Sequence, residues 1–422
     1  MQPKKILFLC DASDLEVVEK SFSDNPEYEL TVETSERIME YGVRDYLLRT
    51  IELIKRYPEM YDGVVGTHDS SAVFASIICD QTGKRFASVD SVINCQNKYL
   101  SRQIQHSHIP EHTPGFCLAI DLLNNSELLP SPFFIKPSRA NISFGSHIID
   151  SLDELIHFIG LESNEIVRQN SYFLEALSIN PKYQAEDNLS TCNTFLCEEL
   201  VSGEQITVDG FIFDGQVSIF GMTRAVFHTG THIFHRHEFP YTFGSSLDTK
   251  ISEAVRKLIP ALGLDNSFFN VELRADPDTE TFQIIEINSR IAFQFAKTIE
   301  SVTGFDPLHL LLQVAVGDKP RFKNHGRTGK YPYCFNFELH SFSDKQIIKT
   351  PTQSGYEEIR LLYPDVVIRN LIQEGFNLSD YKHNPQSFRY CFLDIPGNSP
   401  EEILFTYDRI LNLLDYEFEE IA

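Results

Sequence analysis

The stretch Phe268–Arg290, FFNVELRADPDTETFQIIEINSR, leaves the chain the fewest choices. In FFNVEL the side chains alternate, so a strand there puts Asn270 and Glu272 on one face and Phe269, Val271 and Leu273 on the other. Asp276-Pro277-Asp278 carries residues that favour a tight turn. FQIIEIN then reads as the return strand, with Glu286 and Asn288 on one face because side chains alternate along it. An antiparallel hairpin in this register brings Glu272 to Glu286 and Asn288. Two carboxylates and an amide oxygen are hard ligands, and they suit Mg²⁺, which takes oxygen ligands at about 2.1 Å and shares its coordination with phosphates. The same alternation also describes the wet face of an amphipathic hairpin. Arg290, directly after the acids, makes the choice between the two depend on the rest of the chain.

With 422 residues there is room for two or three domains and a large core. A composition of 42% hydrophobic and 23% charged residues is that of a soluble globular protein. The net charge of −24 argues against a general nucleic-acid binder, whose contact face would be basic, while a nucleotide needs only a few local cations. No apolar run approaches the roughly 20 residues that span a bilayer, so no membrane partner is expected. The apolar part of MQPKKILFLCDAS is too short for a signal peptide and reads as a first strand. The eight cysteines are scattered singly, without a CxxC pair, which fits thiols in a reducing compartment and a cytoplasmic protein.

Residues 1–95 alternate strand and helix signals. ILFLC is a buried strand of the parallel type, and residues 45–57 carry apolar side chains at helical spacing. DGVVGTHDSSAVFASIICDQTG then reads as strand, loop and helix, with Asp69 or Ser70 as N-cap and Gly83 as C-cap. This predicts a small α/β domain over a parallel sheet. Neither GxGxxG after the first strand nor GxxxxGK[ST] occurs, which excludes the two commonest nucleotide fingerprints. A helix is expected from Lys98 to just before Ile109-Pro110. Lys136 closes an apolar strand, and the Ser/Asn/Gly loop after it, with Ser143 and Gly145, can turn N–H groups toward an anion. A short helix over 151–160 has a capping box in Ser151 and Glu154, and 178–193 reads as a loop. From Thr194, three strands are separated by glycine turns at Ser202-Gly203 and Asp214-Gly215, and Glu198 and Glu199 end the first of them.

Lys98, Lys136 with its loop, EELVSGEQITVDGFI, NVELR and IIEINSR follow the order and approximate spacing of the ATP-grasp ligases. Over about residues 1–320 the chain resembles that family, most of all its amino-acid and peptide ligase branch. The resemblance implies a central fold of two α+β lobes over residues 96–325. An N-terminal α/β domain would precede it over 1–95, and a smaller C-terminal α/β domain would follow over 326–422. It implies ATP between the lobes, with Lys98 and Lys136 on its phosphates and the Ser143–Gly145 loop above them. Glu198, Glu199, Leu200 and Val201 would form the hinge around the adenine, and Glu272, Glu286 and Asn288 would hold Mg²⁺, which Mn²⁺ can replace. Arg290 would sit by an acyl phosphate and the tetrahedral intermediate that follows. Family members activate a carboxylate as an acyl phosphate, which an amine then attacks to give an amide, ADP and phosphate. The implied partners are therefore a small carboxylate and a small amine. Related readings are activation of another acid such as bicarbonate, or a nucleotide-binding module whose catalysis has decayed.

The chain departs from the pattern where a glutamate usually meets the ribose. Gly203-Glu204-Gln205 stands there, so Gln205 takes the place or Glu204 shifts into it. Arg224 stands near a common lysine and keeps its charge for phosphate. The segment TRAVFHTGTHIFHRHEFPYTF holds His228, His232, His235 and His237. These are open to three readings: a metal site, though no zinc partner motif is visible; a substrate-facing segment in which a histidine or Arg236 holds a carboxylate; or structural or exposed histidines. Asp306-Pro307 opens a core helix. In the tail, short strands are expected at 331–339 and 387–395 and a helix over 400–418. The tail would close the site or make a homodimer contact.

Overall fold

The apolar run Ile6–Cys10 lies in β1 (Lys4–Cys10), which pairs in parallel with β2 (Tyr28–Thr34) and β3 (Gly63–Gly66) in the order β2-β1-β3. The structure, a computed structural model, describes all residues except 1, 24, 141–144, 185–186, 323–327, 382–385 and 422. Leu7 and Leu9 enter one core, and Ile6 and Phe8 enter another. Burial on both faces is why this strand is apolar throughout instead of alternating. The helix Asp69–Thr82 follows β3 and ends at Gly83, whose φ of 70° is the left-handed conformation a glycine C-cap supplies. Its N-cap is His68, one residue before the expected Asp69 or Ser70.

The helix Lys98–His108 starts at Asn97, whose Oδ1 accepts from the Tyr99 and Leu100 N–H groups, and it ends before Ile109-Pro110 as expected. Next come β4 (Phe116–Leu118), β5 (Phe133–Pro137), β6 (His147–Ile149) and β7 (Phe195–Glu199), an antiparallel sheet in the order β4-β7-β5-β6. The expected short helix over 151–160 is only the start of a helix spanning Leu152–Leu177. Gly160 does not end it, because the apolar stripe resumes at helical spacing beyond. Ile166 packs in the core of the small sheet, while Phe173, Ala176 and Leu177 pack in the core of the N-terminal region. The buried Arg139 guanidinium lies 4.0 Å from the Phe173 ring and donates to Asn170 Oδ1 at 2.8 Å. Residues 178–193, read as a loop, include a short helix at Pro181–Gln184 and a 3₁₀ segment at Asp187–Asn193.

The large sheet is built from β8 (Glu204–Phe213), β9 (Gln216–Phe227), β10 (Phe234–Tyr241), β11 (Ser267–Asp276) and β12 (Thr281–Asn288). The C-terminal strands are β13 (Tyr333–Ser341), β14 (Lys345–Lys349), β15 (Val367–Asn370), β16 (Phe388–Gly397) and β17 (Glu417–Glu420). Three of them extend the same sheet, giving the order β12-β11-β8-β9-β10-β13-β16-β15, while β14 pairs with β17. The join is the antiparallel pair β10–β13, where His237 stands opposite Asn336. Val208, Val271, Leu273 and Ile284 on one face pack with Leu247, Ile251, Val255 and Leu258 of the helix Ser246–Ala261. The polar residues between them therefore line the other face. The last helix spans Pro400–Leu413 and stops short of the expected 418, because Tyr416, just before β17, and Phe418 within it both meet Tyr390, at 5.0 and 5.2 Å.

Phe173 is fully buried where the long helix joins two cores. Phe173→Ala should lower the unfolding free energy by about 3–5 kcal/mol in chemical denaturation, the usual cost of a deleted core aromatic. A loss below about 1 kcal/mol would contradict the bridging role of the helix.

Candidate active site

Pairing of β11 with β12 sets Asn270 opposite Asn288 and Glu272 opposite Glu286. After Glu272 the register slips, so that Leu273 faces Ile284 and Ile285 is an extra residue. A bulge leaves its extra residue out of the ladder. The Ile285 carbonyl instead accepts from Arg102 Nη2 at 2.8 Å and Lys136 Nζ at 3.3 Å. The bulge thus lets the hairpin hold side chains from the Lys98 helix and from β5.

Like charges directly opposite on neighbouring strands repel. Burial, and then the Glu286 charge, push the Glu272 carboxyl well above the ordinary range. Gln205 Nε2 donates to Glu272 at 3.2 Å, and Lys98 Nζ lies 2.9 Å from Glu286 Oε1. Asn288 Nδ2 donates to Asn270 Oδ1 at 3.2 Å and Glu272 Oε1 at 3.4 Å. Below them Asn270 Nδ2 donates to Asp209 at 2.9 Å, and burial pushes this acid up to about 7. Asp209 and Asn270 support the pair from beneath.

Lys136 and Glu198 are both nearly inaccessible. Lys136 Nζ meets Glu198 Oε2 at 2.7 Å, and Arg102 Nε meets Glu198 Oε1 at 2.6 Å. Burial raises the Glu198 carboxyl, and Arg102 and Lys136 outweigh it and hold the acid ionised. Burial costs the Lys136 ammonium most, and Glu198 offsets part of that. The Glu198 side chain is therefore an ion-pair anchor. Residues 200–203 pass from β7 in the small sheet to β8 in the large one. Glu199 accepts from the Gly115 N–H at 2.9 Å, Leu200 is exposed and Val201 is half-buried. Ser143 lies outside the described residues. Gly145, at φ 61°, stands against the Pro137 ring, where a Cβ would sit 3.1 Å from it.

Arg290 leaves the hairpin toward the N-terminal region, and its Nε donates to Asp69 Oδ1 at 3.1 Å. Burial would push Asp69 up, but the guanidinium outweighs it and keeps the acid below the ordinary range. Asp69, read from sequence only as a cap, orients Arg290.

Residues 129–298 match the family model described as the ATP-grasp domain. Over that segment the chain is similar to an ATP-grasp domain. No curated protein sequence matches the chain. Among solved structures it is similar to an L-amino acid ligase from Bacillus licheniformis, at 18% identity over all of both chains and a TM-score of 0.72. It is also similar to the biotin carboxylase domain dimer of Hydrogenobacter thermophilus 2-oxoglutarate carboxylase in complex with MgADP, ADP and bicarbonate. That likeness has 13% identity, 99% of this chain and 91% of that one covered, and a TM-score of 0.73. A phosphoribosylglycinamide synthetase from Anaerococcus prevotii matches at 15% identity, 99% and 100% coverage and a TM-score of 0.67. At these identities the likeness is one of fold: a small parallel α/β sheet ahead of the two ATP-grasp lobes.

The ATP-grasp match contains the hairpin, Lys136 and Glu198, whereas Lys98, Arg102 and Asp69 reach in from before it. Arg102 was missed from sequence. Its place one helical turn after Lys98 was the available signal. Arg224 does not stand as an isolated cation, since Glu238 accepts from its Nε at 3.0 Å and its Nη2 at 2.6 Å. The four histidines of β10 and of the segment before it do not gather into a metal site. Among the described residues no three His, Cys, Asp or Glu side chains cluster as a metal site. His228 and His235 lie 4.8 Å apart, while the buried His237 packs 4.9 Å from Phe295. His237 Nδ1 is 3.6 Å from Glu338, and Glu338 also meets His340 at 3.3 Å and Arg389 at 2.9 Å. Nothing in the sequence marked Glu338, because His237 and Arg389 reach it from other strands.

The Glu338 carboxyl is buried, yet Arg389 and the nearby histidines hold it down to about 2. Its folded pKa lies below the unfolded value, so the stability it contributes is present above about pH 4.5 and lost as pH falls toward 2. Burial keeps His237 neutral down to about pH 4, which also removes stability as pH falls from about 6.5. Glu338→Gln should flatten the acid limb of a stability-versus-pH curve by up to about 3 kcal/mol. An unchanged limb would contradict the ion-pair assignment. At neutral pH, Glu198→Ala should cost about 3–5 kcal/mol by stranding two buried cations.

Proposed function

We propose that the chain is an ATP-dependent carboxylate–amine ligase, with an amino acid as acyl donor. It would form an amide through an acyl phosphate, with release of ADP and phosphate. One observation carries this reading: the β11–β12 register gathers Glu272, Glu286 and Asn288 at one place, with Arg290 at the hairpin's end. The donors are all oxygen, and two adjacent carboxylates that repel each other favour a hard dication, so the set fits Mg²⁺ or Mn²⁺. ATP when bound supplies the phosphoryl group, and the metal supplies charge neutralisation.

The chain's own residues then position and screen. Lys98 exchanges its pairing with Glu286 for a phosphate oxygen, and Lys136 stays anchored on Glu198 beside the phosphates. The 198–201 segment flanks the adenine, Gln205 takes a ribose hydroxyl, and Ser143 and Gly145 cover the phosphates. Arg224 reaches phosphate by yielding part of its pairing with Glu238. The Arg290 fork, held by Asp69, points donors where an oxyanion develops on the acyl carbon. Arg236, or one of the more accessible histidines His228, His232 and His235, would hold a substrate carboxylate. The likeness over its whole length to a protein named as an L-amino acid ligase supports an amino-acid donor. Activation of bicarbonate is the second reading, favoured by the likeness to a structure that holds bicarbonate, and product mass separates the two. The intact Glu272, Glu286, Asn288 and Arg290 speak against a decayed module. No helix among the described residues is long and apolar enough to cross a membrane, and the eight cysteines are free and buried, which supports a reducing, cytoplasmic setting.

An ADP-release assay over a panel of amino-acid pairs should show turnover with at least one pair. MgATP binding without turnover on any pair would count against the ligase reading. Glu286→Ala should cut turnover by at least about a hundredfold, through loss of a carboxylate ligand to the cation. Retained activity would sink the metal assignment.

A further inference from the structure

At one end of the large sheet a groove of about 350 Å³ is lined by Gly203, Gln205, Arg224, Phe227, Arg236 and Arg274, among others. Three guanidiniums share it in a chain whose acids outnumber its bases 60 to 36. Two of them are matched. Glu238 accepts from Arg224 and, at 2.8 Å, from Arg236 Nε, and Glu204 lies 3.7 Å from Arg224. Arg274 differs. It donates to the Gly203 carbonyl at 3.2 Å and lies 5.8 Å from the Phe227 ring, and among the described residues no carboxylate pairs with it. Burial depresses its pKa with no acid opposing. A half-buried cation without an anion is costly, and the planar guanidinium fork matches carboxylate and phosphate oxygens.

The groove adjoins the hairpin acids. Arg274 stands opposite Gln205, on the same face of β11 as Glu272, and the rise of a strand places it about 7 Å further along. Gln205 lines the groove and also donates to Glu272.

We propose that the Arg236 and Arg274 part of this groove, beside the Gln205 and Arg224 that the nucleotide takes, is an oxyanion subsite for the acid being activated. It takes a second anionic group, a carboxylate or a phosphate, which the substrate carries away from its reacting carboxylate. The substrate's identity rests on the ligase reading, but oxyanion binding does not.

The test is isothermal titration of the full chain, saturated with Mg²⁺ and a non-hydrolysable ATP analogue, at constant ionic strength. Inorganic phosphate and succinate are the two probes. One of them should bind saturably, and the tighter one tells which oxyanion the groove prefers. Arg274→Ala should weaken binding at least about tenfold, the worth of a charged hydrogen bond, and Arg274→Lys should weaken it less. Arg236→Gln gives a second reading if Arg274→Ala fails to fold. The proposal is overturned if neither probe binds with nucleotide present, or if both variants bind as the wild type does. Binding only without nucleotide would assign the groove to the nucleotide and overturn it too. Oxyanion binding in a protein that releases no ADP with any acid would sink the ligase reading and leave the subsite standing.

Discussion

Two carboxylates face each other across β11 and β12, and the rest of the site answers their repulsion. Glu272 and Glu286 cannot both be ionised and half-buried without positive charge nearby. The chain supplies Lys98 on Glu286, Arg290 at the end of the hairpin, and amide donors from Gln205 and Asn288. Burial first, and the Glu286 charge second, still hold Glu272 above its ordinary range. Two adjacent carboxylates with oxygen ligands to offer favour a hard dication, and a dication with free positions favours phosphate.

The pair matters only if its register is fixed. A slip by one residue would send both acids to the helix-covered face and the apolar residues to the cleft. Val271, Leu273, Ile284 and Ile287 prevent that by filling the core beneath the helix Ser246–Ala261. The Ile285 bulge adds a second lock, because its carbonyl ties the hairpin to Arg102 and Lys136, and through Glu198 to the small lobe. The remaining ties come from the two ends of the chain. Asp69 orients Arg290, while Asp14 joins Arg369 of β15 at 2.8 Å and His68 at 3.2 Å. The C-terminal strands thus meet the N-terminal region through Asp14.

Local periodicity made much of this legible. The hairpin, its facing acids, the Lys98 helix and the strand ending at Lys136 follow from alternation and helical spacing within a few residues of sequence. The ordered motifs carried the ATP-grasp expectation, which the family match supports over residues 129–298. What escaped is non-local. Glu198 read as a hinge residue, but its side chain is fixed by Arg102 and Lys136 from two other elements. Asp69 read as a cap, and only the fold brings Arg290 to it. The helix read over 151–160 runs on to Leu177, because local propensity cannot see the cores that hold Phe173 and Leu177. The sharing of Glu338 among β10, β13 and β16 depends on strand order, which no local pattern encodes.

The central claim is that the hairpin acids hold a divalent cation together with ATP. Titration of Mn²⁺ into the protein with ATP present, followed by the loss of the free-ion electron paramagnetic resonance signal, tests it without knowledge of the substrate. The wild type should retain Mn²⁺ in a saturable ternary complex, while Glu272→Gln combined with Glu286→Gln should bind no more than ATP alone does. Equal retention by the double variant would contradict the account.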